Sequence, residues 1–238
     1  MFDLFDFDLP GAVTEQLERR LNSMPSSTLT EQALQQLDSF LEQHKLRQGV
    51  YQILLKDEVV YVGKATNVRE RLEQHYWKLR GRQNVEMGDV RFRCLVLHAN
   101  WSTSAHEDLL IAHYKSQGQA KWNGAGFGPK DVGRGRDGTE PSWFDRHYPI
   151  NADYPCDPIP DSLTVGQLAD LLKSQLPFTF RYEIPRTDAA RPLDLTGVSR
   201  TARALLEELV QALGPRWQGN LFSQPHHPLS GATGLRIR

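Results

Sequence analysis

The stretch GVYQILLKDEVVYVGK, residues 49–64, predicts two short strands joined by a tight turn. Residues that favour strands occupy Gly49 to Leu55 and Val59 to Val62, and the polar Lys56-Asp57-Glu58 separates these two runs. Each run contains a glycine and a tyrosine. Glycine in a strand lets another backbone or a ligand approach closely, although both residues are also ordinary in hairpins.

The residues downstream of this hairpin predict a helix, a third strand and a second helix. From Asn67, which can cap a helix, apolar and basic residues recur with helical spacing. Val90 to His98 alternates as a strand, and Ser102 or Ser104 can begin a helix that continues through Tyr114. The order β-β-α-β-α predicts an α+β fold, with a small antiparallel sheet flanked by helices.

The segments outside this core predict three regions. Residues 1–48 are interpreted as a tail and a covering helix at Leu29 to Leu46, and residues 49–150 as the core. The proline-rich Tyr148 to Pro160 marks a boundary, because proline denies hydrogen bonds to helices and sheets. Residues 151–238 are an additional C-terminal α/β extension of unknown role, in which Thr164-x-x-Gln167 resembles a helix capping box.

The composition narrows the class of protein. With 39% hydrophobic and 24% charged residues, the chain matches folded globular proteins rather than disordered or fibrous ones. No apolar run approaches the roughly 20 residues of a membrane span, and the N-terminus lacks the basic start of a signal peptide, so we expect no membrane association and a cytoplasmic protein. Cys94 and Cys156 lack the spacing of a zinc site or a disulfide framework.

The net charge of -1 hides an uneven distribution of charge. Phe2 to Asp8 is acidic and aromatic, whereas Lys64 to Arg93 is rich in lysine and arginine. That basic stretch is either a phosphate-binding surface or a solvated helix face followed by a solvated strand.

Four polar residues suggest phosphodiester chemistry. Arg71 and His75 lie four positions apart on one helix face, where they can bind and neutralise a phosphate. Glu107, near the start of the next helix, either favours the helix dipole or is an oxygen ligand for Mg²⁺. Asn123 follows that helix.

The ordered set of Gly-Val-Tyr, Tyr-Val-Gly-Lys, the arginine and histidine, the glutamate and the asparagine resembles the GIY-YIG nuclease superfamily from Gly49 to Asn123. Further residues are similar to the type II restriction endonucleases that cut CCGCGG, the SacII isoschizomers, and extend the resemblance to about His147. Those residues are Glu107-Asp108-Leu109-Leu110-Ile111, Trp122-Asn123, Gly126-Phe127-Gly128, Asp131-x-Gly133-Arg134-Gly135-Arg136 and Ser142-Trp143-Phe144-Asp145. The extension after Tyr148 is not part of that pattern.

The resemblance implies a Mg²⁺-dependent active site, with Mn²⁺ as a substitute. Its catalytic residues would be Tyr51, Tyr61, Lys64, Arg71, His75, Glu107 and Asn123. Tyr51 would act as or orient the base for the attacking water, helped by Lys64, His75 or metal-bound water, since a phenol with a pKa of about 10 is a poor base. Tyr61 would contact the phosphate, Arg71 would stabilise developing charge, and Glu107 would bind the metal. The products would be 5′-phosphate and 3′-hydroxyl.

Other basic residues are candidates for DNA contact. Arg134 and Arg136, in the glycine-rich loop from Gly126, can read guanine edges, contact phosphates or simply be solvated. Arg69 and Lys78 belong to the basic stretch and are candidate DNA-binding residues.

Three functions are compatible with these residues. The first is a restriction enzyme that cuts a defined sequence in double-stranded DNA, as a homodimer whose two-fold axis matches the palindrome. The second is a structure-directed nuclease of repair, mobile elements or anti-phage function. The third, a non-catalytic DNA-binding module, is disfavoured by the intact set of candidate catalytic residues.

Overall fold

A computed structural model describes residues 8–98, 104–128, 141–215, 219–221 and 234–237. Of the residues singled out above, those outside these ranges are residues 2–7, Ser102, Asp131, Gly133, Arg134, Gly135 and Arg136, and the side chain of Glu107 is not described. None of the described helices is long and apolar enough to cross a membrane.

The chain divides into two compact units. The first comprises Met1–Tyr76 and Val85–Pro129, and the second comprises Trp77–Asn84 and Lys130–Arg238. The elements that begin in the first unit are α1 (Leu9–Ser23), β1 (Ser27–Thr28), α2 (Glu31–His44), β2 (Gly49–Leu55), β3 (Glu58–Ala65), α3 (Val68–Arg80), a 3₁₀ turn (Met87–Asp89), β4 (Val90–Val96) and α4 (Ser104–Ser116). The predicted order from β2 onward and the α+β class are confirmed.

The strands of the first unit form one antiparallel sheet in the order β1-β4-β2-β3. The predicted hairpin of β2 and β3 is present, and its turn is shorter than expected because Leu55 already pairs with Glu58. Lys56 and Asp57, the two turn residues, both have positive φ, at 51° and 63°. A two-residue turn with this left-handed geometry matches the right-handed twist of the paired strands.

The strand register sorts side chains onto two faces of the sheet. Tyr51 lies opposite Gly63 on one side and Cys94 on the other, so these three residues share a face. Gln52 lies opposite Val62 and Arg93 on the reverse face. We call these the Tyr51 face and the Gln52 face.

The helices of the first unit cover both faces. On the Tyr51 face, His75 of α3 contacts the ring of Tyr61. On the Gln52 face, α1 and α4 pack against the sheet in one hydrophobic cluster. That cluster contains Leu17, Leu21, Val50, Val62, Leu97, Leu110, Tyr114 and Ala120.

The helix α1 was not predicted, because residues 1–48 were interpreted as a tail and one helix. Asp8 caps α1 by accepting a hydrogen bond from the backbone N–H of Gly11 at 2.9 Å, and Pro10 fits the first turn. Leu17 and Leu21 lie four positions apart and are buried. An apolar stripe this narrow becomes stable only when another element packs against it.

The predicted covering helix is confirmed as α2, with shorter bounds. Thr30 caps its start by accepting from the backbone N–H of Ala33 at 3.1 Å. Lys45, with φ of 53°, ends it before the expected Gln48-Gly49. The predicted cap of α3 is also present, since Asn67 Oδ1 accepts from the backbone N–H of Glu70 at 3.4 Å.

The second unit has its own core and small sheets. Its elements are α5 (Trp143–His147), β5 (Ser162–Thr164), α6 (Val165–Gln175), β6 (Thr179–Arg181), α7 (Arg186–Ala189), β7 (Pro192–Asp194), α8 (Ala202–Leu213), β8 (Gly219–Leu221) and β9 (Gly234–Ile237). The strands β5 and β7 form one sheet, and β6, β9 and β8 form another in that order. The predicted capping box of Thr164 and Gln167 begins α6, and Cys156 is buried in the core as a free thiol.

A buried ion pair joins the two chain segments of the second unit. Arg82 donates to Asp145 Oδ1 at 2.8 Å and to the backbone carbonyl of Tyr148 at 2.8 Å. The Arg82 guanidinium also lies 5.2 Å from the centre of the Phe144 ring. The contacts therefore place Trp143–His147 in the second unit, whereas the sequence boundary had assigned them to the core.

Candidate active site

A buried hydrogen bond between Tyr51 and His75 lies at the centre of the candidate site. The Tyr51 hydroxyl and His75 Nε2 are 2.8 Å apart. β2 supplies Tyr51 and α3 supplies His75, and 0% of Tyr51 and 2% of His75 is exposed. Phenol and imidazole can pass a proton along such a bond, with direction set by the imidazole tautomer.

Tyr61 stands beside this pair on the same face. Its ring centre lies 6.1 Å from that of Tyr51 and 5.2 Å from that of His75. Gly63, two residues later in β3, makes room for the pair. A Cβ at Gly63 would come within 2.6 Å of the Tyr51 hydroxyl and 2.8 Å of Tyr61 Cε1, distances that real Cβ atoms do not adopt. The Tyr-x-Gly spacing therefore has a steric reason.

The surroundings of Tyr51 oppose its ionisation. Burial is the main cause that raises the pKa of its phenol above the ordinary value of about 10, and nearby Tyr61 raises it further. The charge of Arg71, and a hydrogen bond with it, act in the lowering direction. The phenol is therefore neutral at pH 7, and a free phenolate is disfavoured.

The two arginines in the first turns of α3, Arg69 and Arg71, have different partners. Arg71, one turn before His75, is half-buried and donates to Gln74 Oε1 at 2.9 Å. Arg69 forms an ion pair with Glu73 at 2.7 Å. Arg71 is thus the α3 arginine that acts on Tyr51, whereas Arg69 is engaged along its own helix.

Asn123 acts on the edge of the sheet rather than on the aromatic residues directly. Its side chain accepts from the backbone N–H of Val62 at 2.9 Å and donates to the Val62 carbonyl at 2.7 Å. Just before it, Ala120 and Trp122 donate backbone hydrogen bonds to Val59 and Val60. One side-chain amide therefore replaces a strand partner for the residue between Tyr61 and Gly63.

Phe127 packs into the same cluster, and the sequence analysis gave it no role. Its buried ring stacks on the His75 imidazole, with centres 4.7 Å apart and planes at 17°. The signal available in the sequence was an aromatic residue between two glycines in a glycine-rich loop.

Of the other predicted site residues, Lys64 lies on the Gln52 face, Lys78 belongs to the second unit, and the side chain of Glu107 is not described. Lys64 pairs with Val50, so the strand register assigns it to the Gln52 face and does not place it beside Tyr51. Lys78 belongs to the second unit, where its Nζ lies 5.2 Å from the centre of the Phe144 ring. Glu107 belongs to α4, three and seven positions before the buried Leu110 and Tyr114.

The side chains that could bind a metal ion are the next feature of the site. Within the described ranges, no group of three or more His, Cys, Asp and Glu side chains is arranged to hold one. Mg²⁺ bound by one carboxylate, phosphate oxygens and water requires no such group.

Comparison with known proteins gives a family for part of the chain. No curated protein matches the chain. Residues 47–121, less than half of the 238 residues, match the family described as the GIY-YIG catalytic domain. The matched range includes Tyr51, Tyr61, Arg71 and His75 and ends just before Asn123 and Phe127. The chain therefore carries a GIY-YIG catalytic domain at residues 47–121, and this domain indicates a nuclease.

Proposed function

We propose that this protein is a Mg²⁺-dependent endonuclease that cuts both strands of double-stranded DNA at a defined sequence. The observation that carries the proposal is the buried Tyr51–His75 hydrogen bond, with Tyr61 and Arg71 around it, inside the matched domain. Each of these groups has a use in phosphodiester hydrolysis, and together they lie on one face of the sheet.

The proton of the attacking water is proposed to move through Tyr51 to His75. Because a free phenolate is disfavoured, Tyr51 accepts the water proton as its own hydroxyl proton passes to His75 Nε2. This requires neutral His75 with its proton on Nδ1. The hydroxide equivalent bonds to phosphorus, the bond to the 3′ oxygen breaks, and solvent protonates that oxygen. The products are 5′-phosphate and 3′-hydroxyl.

Arg71 and Tyr61 are proposed to contact the scissile phosphate. A guanidinium stabilises the negative charge that grows on phosphoryl oxygens in the transition state. Arg71 already lies close enough to Tyr51 to influence its ionisation. Asn123 positions these groups by fixing the edge of β3.

Glu107 is proposed to hold Mg²⁺, with Mn²⁺ as a substitute. When bound, the ion neutralises charge on the phosphate and on the leaving 3′ oxygen. The position of Glu107 near the start of α4 is compatible with this role.

Sequence-specific cutting rests on the resemblance to restriction enzymes through about His147 and on the arginines at 134 and 136. One site holds one scissile phosphate, so two protomers on a palindrome are the simplest arrangement. The C-terminal unit is proposed to contribute to specificity or dimerisation.

The decisive experiment is digestion of supercoiled plasmids by the full chain with Mg²⁺, Mn²⁺ or EDTA, followed by sequencing of the ends. We expect metal-dependent linear product with 5′-phosphate ends at one palindrome. Glu107→Gln should abolish cutting while DNA binding remains. Cutting at junctions or flaps irrespective of sequence would instead indicate a structure-directed nuclease, and binding without cutting would indicate a non-catalytic module.

The dimer is tested by mixing wild type with Glu107→Ala. Mixed dimers have one competent site, so we expect nicked circles in proportion to their abundance. Only linear product, at a rate set by the wild-type fraction, together with a monomer on DNA by light scattering, would contradict the dimer.

A further inference from the structure

Phe127 contacts two members of the catalytic cluster at once. It stacks on His75, as described above, and it meets the Tyr61 ring edge-on, with centres 5.0 Å apart and planes at 72°. Parallel stacking and edge-to-face packing are the two favourable arrangements of aromatic pairs. The ring of Phe127 is fully buried.

A third ring contact of Phe127 comes from a residue that is itself fixed. The Trp122 ring centre lies 4.7 Å from that of Phe127, and Trp122 is fully buried. The backbone N–H of Trp122 donates to the carbonyl of Val60 at 2.8 Å. Phe127 therefore packs both on the imidazole of His75 and on a residue that is bonded to the edge of the sheet.

His75 can serve Tyr51 only in one ring orientation. The torsion between Cβ and the imidazole is broad and nearly two-fold, so an unsupported ring can rotate its Nε2 away from the Tyr51 hydroxyl. A ring stacked on one imidazole face resists that rotation, because the turning imidazole would collide with it. His75 becomes positively charged when it accepts a proton. The face of the stacked Phe127 ring attracts a cation at this distance and therefore stabilises the charged imidazole.

We propose that Phe127 is a positioning residue, which holds the His75 imidazole with Nε2 toward Tyr51 and thereby sets the rate of proton transfer. The catalytic part of this inference rests on the proposed function. The structural part, the orientation of His75, does not. Phe127 lies beyond the matched residues 47–121, so the match assigns it nothing.

The test compares wild type with Phe127→Leu and Phe127→Met, which remove the ring and keep an apolar side chain. Phe144→Leu is the matched control, since Phe144 is also fully buried and packs on an aromatic ring, that of Tyr148 at 5.0 Å, but in the second unit. NMR spectra of histidine-labelled full-length protein report the shifts, tautomer and titration of His75, assigned with His75→Gln.

In wild type we expect His75 ring protons shifted upfield by the stacked Phe127 ring and a single Nδ1–H tautomer. Both Phe127 variants should lose that shift and change the His75 titration, whereas Phe144→Leu should not. Single-turnover cleavage should fall about tenfold to a hundredfold in the Phe127 variants, with DNA affinity in Ca²⁺ unchanged within about twofold. The pH profile of cleavage should move with the His75 titration.

Wild-type His75 protons without an upfield shift would overturn the proposal even if neither variant folded. Unchanged His75 signals in Phe127→Leu would overturn it as well. The proposal would also be overturned if Phe144→Leu lost as much cleavage as the Phe127 variants and the fraction of folded protein accounted for the loss. If wild type cuts no DNA but His75 responds as expected, the positioning role stands and the proposed nuclease function fails.

Discussion

Tyr51 and Gln52 are neighbours in β2, both fully buried and both hydrogen-bonded, yet they lie on opposite faces of the sheet. The Tyr51 hydroxyl lies 2.8 Å from His75 Nε2, and Arg71 also acts on this phenol. Gln52 donates to Asn22 at 3.1 Å and to the Tyr114 hydroxyl, and accepts from Arg93 at 3.2 Å. One face thus has a pair of titratable rings, and the other a network centred on an amide.

The difference between the two faces distinguishes buried polar groups that can react from buried polar groups that only hold the structure together. An amide neither gains nor loses a proton near neutral pH, so the Gln52 network can only hold elements together. The elements that it joins are α1, α4 and β4, through Asn22, Tyr114 and Arg93. An imidazole can both accept and donate a proton, so the Tyr51 face contains groups that can pass a proton along a hydrogen bond. Substitutions on the Tyr51 face should therefore lower the cleavage rate, whereas substitutions on the Gln52 face should lower the free energy of unfolding.

The largest effect is expected from Tyr51→Phe. It removes the hydroxyl that links water to His75 and keeps the ring that fills the core, so cleavage should fall by roughly 10²–10⁴-fold. DNA affinity in Ca²⁺ should change little, because the ring and Arg71 remain. Single-turnover kinetics and a binding titration check this. A variant that cuts at a wild-type rate would exclude Tyr51 from the proton path.

Gly63→Ala should give the next largest effect. The added methyl would collide with the Tyr51 hydroxyl and ring, so the phenol must shift, and a misplacement of about 1 Å can cost about 10²-fold in rate. Gly88→Ala is the matched control, because nothing lies within 4 Å of a Cβ at that position. Equal cleavage rates for the two variants would contradict the steric role of Gly63.

The part of the fold that local sequence determines was predictable. The hairpin of β2 and β3, the cap at Asn67 and the capping box at Thr164 each depend on residues a few positions apart. The helix α1 was missed because its two buried leucines gain their stability from α4, far along the chain.

The site was predicted where motif spacing determines it and missed where packing does. Tyr51, Tyr61 and His75 do come together. Phe127 could not be assigned, since its burial depends on Trp122 and on the edge of β3. The face of Lys64 was predictable in principle, because neighbouring strand residues alternate and Gly63 faces Tyr51. Arg82 belonged to the predicted basic stretch, and its burial against Asp145 required a partner 63 positions away.

Gln52→Leu tests the structural role of the Gln52 face. It removes one hydrogen-bond partner from each of Asn22, Tyr114 and Arg93, while the bond from the Tyr114 hydroxyl to Asn22 at 3.2 Å remains, so we expect a cost of about 1–3 kcal/mol in the free energy of unfolding. Tyr114→Phe, which spares the bonds of Gln52 to Asn22 and Arg93, should cost less. Denaturant unfolding measures both. Cleavage per folded molecule should stay within about threefold of wild type, and a larger loss without destabilisation would mean that the Gln52 face takes part in the chemistry.

The smallest effect, an alkaline loss of stability, should be common to both faces. Burial is the main cause that raises the pKa of Tyr51 and of Tyr114 above that of the unfolded chain, about 10. Above that pH the unfolded state releases phenolic protons that the folded state retains. Each phenol should therefore lower the free energy of unfolding by about 1.4 kcal/mol per pH unit, with its full contribution present below pH of about 10. Unfolding measured from about pH 9 to about pH 11 should show a shallower slope for Tyr51→Phe and for Tyr114→Phe than for wild type, because other groups titrate alike in all three. Identical slopes would mean that these phenols ionise as easily in the folded protein as in the unfolded chain, which would contradict the argument that burial disfavours a free Tyr51 phenolate.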